Sequence, residues 1–214
     1  MTQPEIEIRR AWRHAVGIAH DGYVDALLGR YREPHRAYHT ATHIMMVVRD
    51  VHEISTTFSA EPSPELVAAV LYHDAIYDPR SSDNEARSAS LAASVLADVG
   101  WSTERCEAVT ALILATAAHV GAAASQRSGE PASEIAVLVD ADLAILGAEP
   151  SRYQAYVNGV RSEYAFVDDD GWRTGRAAVL QRFLDADRLF CTEHMARLEH
   201  RARANLEAEL ATLQ

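Results

Sequence analysis

The chain has 214 residues, enough to bury a sizeable core in one domain, and its 48% hydrophobic and 24% charged residues exclude a disordered polymer. A formal net charge of −11 argues against a broad nucleic-acid-binding surface. All 20 basic residues are arginine, which excludes a Schiff-base lysine and the lysine of a P-loop, so any bound anion must be met by arginine, histidine, metal or backbone amides.

Apolar residues recur with helical rather than strand period almost throughout. In chain order, helices are predicted over about 4–20, 22–32, 41–58, 63–77, 83–99, 103–119, 133–147, 150–166, 171–186 and 191–212. Ser63-Pro64 reads as an N-cap followed by proline at the first helical position, and Ser102 or Thr103 as a second cap. Segments 78–84 and 121–132 are small and polar, and are predicted to be loops. The last helix alternates acid and arginine at i,i+4 spacing, which fits a solvated face or a contact with a second copy of the chain. Apolar runs are short and broken by charge, so no membrane-spanning helix and no membrane partner are expected. MTQPEIEIRRAW lacks the apolar core of a signal peptide. Cys106 and Cys191 are too few for a disulfide framework or a thiolate metal site. A cytoplasmic, all-α chain of eight to ten helices is the resulting expectation, one domain over 1–214 with its core in about 22–186 and a C-terminal helix over about 191–212.

Three of these helices carry ionisable groups on their apolar stripes, taking about 100° of turn per residue. His43 lies one turn before Val47, Val51 and Ile54. The adjacent pair His73-Asp74 continues the stripe of Leu66, Val67, Val70 and Leu71. Asp142 falls among Ile135, Leu138, Val139 and Leu146, whereas Asp140 points roughly 120–160° away from them. A buried carboxylate is costly unless paired or metal-bound, and two converging with two imidazoles need a cation between them. Two neutral imidazoles and two carboxylates suit Mn, Fe, Co, Ni or Zn, and suit Mg less well. Taken singly, each group has a plainer role: a hydrogen-bonded core histidine, or an acceptor for an arginine.

The order His…His-Asp…Asp on helices resembles the HD-domain superfamily of metal-dependent phosphohydrolases. The resemblance rests on YHTATHI (38–44), LYHDAIYDP (71–79), DNEARSA (83–89), the spacing of Thr116 and His119, DADLAILG (140–147) and VRSEYAFV (160–167). It implies an all-α HD-type bundle, with His43, His73, Asp74 and Asp142 as ligands of a divalent metal. It also implies hydrolysis of a small phosphorylated metabolite or nucleotide by a metal-activated water. Many members carry a lysine after the HD pair; here Ala75-Ile76-Tyr77 follow. Dinuclear members add two histidines between the pair and the last aspartate, and only His119 lies there, which favours one metal per chain. Two other classes stay open: an iron oxygenase on the same fold, and a non-catalytic helical protein binding metal or ligand.

A second group of residues surrounds the expected centre. Glu85, with Asp74, is a candidate to activate water, its plainer role being an acid near a helix N-terminus. His119 is a candidate proton donor to a leaving group, otherwise a C-cap. His39 and Arg161 are candidate substrate-binding residues, Arg161 alternatively holding Asp140 and Asp142. Asp50 is a candidate to orient a ligand imidazole, and Tyr38 is read as packing.

Overall fold

The computed structural model describes residues 1–117 and 133–213; His119 and the 121–132 segment fall outside them. Among the described residues there are eleven α-helices, two short 3-10 turns and no strand. The helices are α1 (Gln3–Ala15), α2 (Asp21–Arg30), α3 (Ala41–Thr57), α4 (Pro64–Tyr72), α5 (Asn84–Asp98) and α6 (Thr103–Thr116). They continue with α7 (Glu134–Leu143), α8 (Pro150–Glu163), α9 (Asp169–Asp185), α10 (Glu193–Ala196) and α11 (Glu199–Leu213). None of them is long and apolar enough to cross a membrane.

The bundle is built around α4. Every residue from Leu66 to Tyr72 is buried, and α1, α3, α5, α6 and α7 all pack against this one helix. The run LVAAVLY has no polar face, as a helix surrounded on all sides requires. Each large side chain buried there contributes on the order of 2 kcal/mol. Ser63 caps the helix, its hydroxyl accepting from Leu66 N at 3.0 Å with Pro64 following, and Ser102 caps α6 likewise. α11 packs against both α9 and the 144–147 turn that follows α7. There the buried Arg176 donates to Glu209 at 2.7 Å.

Three boundaries that differ from the sequence expectation each have a physical reason. α1 stops at Ala15 because Gly17 takes φ 108°, a left-handed conformation that side chains avoid. α4 stops at Tyr72 rather than residue 77. The Val70 carbonyl, which would accept from the amide of Asp74, lies 2.9 Å from His73 Nδ1 instead, and the Ala75 amide turns back to the Tyr72 carbonyl at 2.9 Å. The predicted 191–212 helix is two, α10 and α11, with a break at Arg197–Leu198. Leu198 lies against the turn so closely that a Cβ on Gly147 would sit 2.6 Å from its own Cβ. The Glu199 carboxylate meanwhile accepts from the amides of Leu189 and Phe190.

Candidate metal centre

The early end of α4 positions the chemistry. His73 is the C-cap residue of α4, so His73 and Asp74 both lean into the space between α4, the start of α3 and the last turn of α7. His43 sits three residues after the α3 N-cap, Thr40, and Asp142 one residue before the end of α7. His43, His73 and Asp74 place one donor atom each within 4.8 Å of one another and could hold a metal ion.

The His43 and His73 Nε2 atoms are 3.3 Å apart. Asp74 Oδ2 lies 3.4 Å from the first and 3.3 Å from the second. Asp142 Oδ1 lies 3.2 Å and 3.5 Å from the same two nitrogens. Donors about 2.0–2.2 Å from a shared ion stand roughly 2.9–3.5 Å apart at four- to six-coordinate angles, so the separations among His43, His73 and Asp74 fit a single ion, with Asp142 Oδ1 close to both nitrogens. The tautomer fits as well. His73 Nδ1 lies 2.9 Å from the Val70 carbonyl, which can only accept, so Nδ1 carries the proton and the Nε2 lone pair faces the cluster.

Electrostatics point the same way. Burial disfavours a charged His73, yet Asp74 and Asp142 raise its pKa well above the usual histidine value; the same contest raises that of His43. Burial would lift both carboxyls, but the imidazoles hold Asp74 and Asp142 below the ordinary aspartate range. The cluster therefore favours positive charge between its carboxylates, as protons on the imidazoles or as a cation. Both cysteines are free, and burial pushes the Cys191 thiol up to about 12, which keeps it out of thiolate chemistry.

Around the cluster, the 31–40 loop is fastened by two residues that no helical pattern picked out. Arg36 has a fully buried side chain. It donates to the carbonyls of His39 at 3.0 Å, Asp74 at 2.8 Å and Ala75 at 3.2 Å, tying the loop to the HD turn. Glu163, buried at the end of α8, accepts the amides of Ala37, Tyr38 and His39 at 2.8–2.9 Å through one oxygen. Its other oxygen meets His39 Nδ1 at 2.7 Å and the Tyr77 hydroxyl at 2.9 Å. Glu163 was detectable in principle, as a lone carboxylate continuing the face of Tyr156 and Val160; Arg36 lies in a loop and gave no such signal. Tyr38 packs as read, its ring 4.9 Å from His43 and 4.7 Å from Tyr156, and a Cβ on Gly159 would lie 3.1 Å from its Cβ.

His39 stands beside the cluster, its ring edge-on to His43 at 5.8 Å and stacked on Tyr77 at 4.2 Å. With Nδ1 on Glu163, its Nε2 has no hydrogen-bond partner among the described residues. The other candidates lie elsewhere. Arg161 donates to the carbonyls of Tyr164 and Val167 and to Asp169, so it closes the end of its own helix and holds neither Asp140 nor Asp142. Asp140 is fully buried and accepts the amides of Cys191 and Thr192 at 2.7 Å each. Glu85 sits in the first turn of α5 with no hydrogen bond or ion pair to the cluster. Its neighbours do the fastening: Asn84 exchanges hydrogen bonds with the backbone of Asp78, and Ser88 with that of Ile76. Asp50 makes no hydrogen bond to a ligand imidazole; burial pushes its carboxyl up to about 6.

Glu163→Gln is expected to cost about 2 kcal/mol at neutral pH, because an amide group then faces His39 and Tyr77 while the three backbone donors keep one acceptor. Burial raises the Glu163 carboxyl, but His39 and the amides outweigh it and hold the pKa to about 2. A depressed carboxyl stabilises the fold fully above its unfolded pKa and loses that contribution as pH falls through the folded one. Wild-type stability should therefore drop between pH about 4.5 and about 2, and the variant should show a shallower drop there. Urea midpoints against pH check this; parallel curves would contradict it.

No protein-family model matches the chain, and searches of curated proteins and of solved structures return no match.

Proposed function

We propose that the protein is a metal-dependent phosphohydrolase acting on a small phosphorylated metabolite or nucleotide. The observation that carries this reading is the convergence of two imidazole nitrogens and two carboxylate oxygens from three helices, within 3.2–3.5 Å of one another across each histidine–partner pair. His43, His73, Asp74 and Asp142 would hold one divalent transition-metal ion. When bound, such an ion neutralises phosphoryl oxygens and lowers the pKa of water. Asp142 and Asp74 present carboxylates at the rim of the cluster, each about a fifth exposed, where an attacking water can be oriented. His39, fixed through Nδ1 by Glu163 and with Nε2 unpartnered among the described residues, would hand a proton to a leaving oxygen. That role was expected of His119, which lies outside the described residues. Arg36 and Glu163 hold these groups in place.

Release of inorganic phosphate from a panel of phosphorylated metabolites, with and without chelator and with added Mn, Co, Ni or Zn, tests this reading. Chelator-sensitive turnover on at least one phosphate ester is expected. A metal-loaded protein inert across the panel would favour a ligand-binding role, and oxygen consumption with bound iron an oxygenase.

A further inference from the structure

Away from the cluster, between α3, the 144–147 turn, the start of α8 and the α10–α11 bend, lies a cavity of about 130 Å³. That is roughly the space of four waters at ~30 Å³ each. Met195, Leu198 and the small residues of the 144–148 turn give it an apolar wall, and the rest of its lining is ionisable. Most of those charges are committed. Glu53 lies 3.0 Å from His194 Nε2 and accepts from Arg197 at 2.7 Å. Arg201 donates to the Gly147 carbonyl at 2.6 Å and pairs with Glu149.

Two charges of opposite sign remain uncommitted. Among the described residues Asp50, half-buried, has neither hydrogen bond nor ion pair, and the exposed Arg152 guanidinium bonds only the thioether sulfur of Met46. Both line the cavity and attract each other across it, without a hydrogen bond or ion pair between them. We propose that this cavity binds a small zwitterion, an α-amino acid or a compound of the same ammonium–carboxylate pattern, with its ammonium on Asp50 and its carboxylate on Arg152. A simple anion would set its charge against Asp50 and Glu53, and a simple cation against Arg152 and Arg201; only a molecule carrying both satisfies the two walls together. The volume suits an amino acid the size of glycine, alanine or serine. Burial already penalises an unpartnered Asp50 carboxylate, so an ammonium there relieves a standing cost. Neither residue is among the cluster's donors, so binding here is separate from ester hydrolysis.

Isothermal titration of the full chain as purified tests this, with glycine, L-alanine and L-serine as probes. Methylammonium, acetate and inorganic phosphate serve as single-charge controls, and circular dichroism confirms that the variants fold. At least one amino acid should saturate with a Kd in the millimolar range or tighter, and Asp50→Asn and Arg152→Gln should each weaken it roughly tenfold or more. Three outcomes overturn the assignment. One is no binding by any amino acid. A second is binding that survives in both variants, which would place it at the metal cluster. The third is acetate or phosphate binding as tightly as the amino acids and gaining affinity in Asp50→Asn, which would make this an anion site.

Discussion

Asp142→Asn is expected to lower phosphate-ester turnover by about 10³-fold or more and metal affinity by at least ~100-fold. Asp142 Oδ1 is the atom that approaches both His43 and His73 nitrogens, at 3.2 and 3.5 Å. Asparagine keeps the volume and removes the anionic donor. The chelated forms of wild type and variant should melt within a few degrees of each other, because a bound ion stabilises only the protein that retains it. Metal-loaded wild type should melt higher than both. A variant that keeps its metal and its turnover would place Asp142 outside the centre.

Asp140→Asn, two residues earlier, should do the reverse. Its two carboxylate oxygens each accept one amide, Cys191 N and Thr192 N, and the side chain has no exposure. An asparagine can accept only one of the two and turns an N–H donor against the other. The expected loss is about 2–4 kcal/mol of stability, felt first at α10, with metal content unchanged. Denaturant melts paired with metal analysis read both quantities; retained stability with lost metal would show that the two aspartates have been exchanged.

The pairing of these two neighbours shows how far the sequence reaches. Helical period alone separated Asp142 from Asp140, because a face is a local property, fixed by about 100° per residue. It also brought His43 and His73-Asp74 to the ends of buried stripes, and the structure joins all three helices there. What Asp140 touches was not local: its partners lie 51 and 52 residues away, in a loop without period. Glu163 and Arg36 escaped for the same reason, since their bonds cross 124–126 and 38–39 residues and join loops to helix ends. Arg161 shows the converse. A guanidinium near a site in sequence suggests an anion clamp, while in three dimensions it donates to the carbonyls of Tyr164 and Val167 beyond the end of its own helix. The end of α4 is hidden from the sequence because the apolar stripe continues through His73-Asp74 while the backbone leaves the helix, the Val70 carbonyl meeting the His73 ring instead of the next amide.

The central claim is that His43, His73, Asp74 and Asp142 form one metal centre. Elemental analysis of protein purified without any metal-affinity step, then chelated and reloaded by equilibrium dialysis, tests it most directly. The account predicts about one divalent transition-metal ion per chain, recovered on reloading and lost in Asp142→Asn and in His73→Ala. A folded wild-type protein that is metal-free as purified and takes up none on dialysis would contradict it.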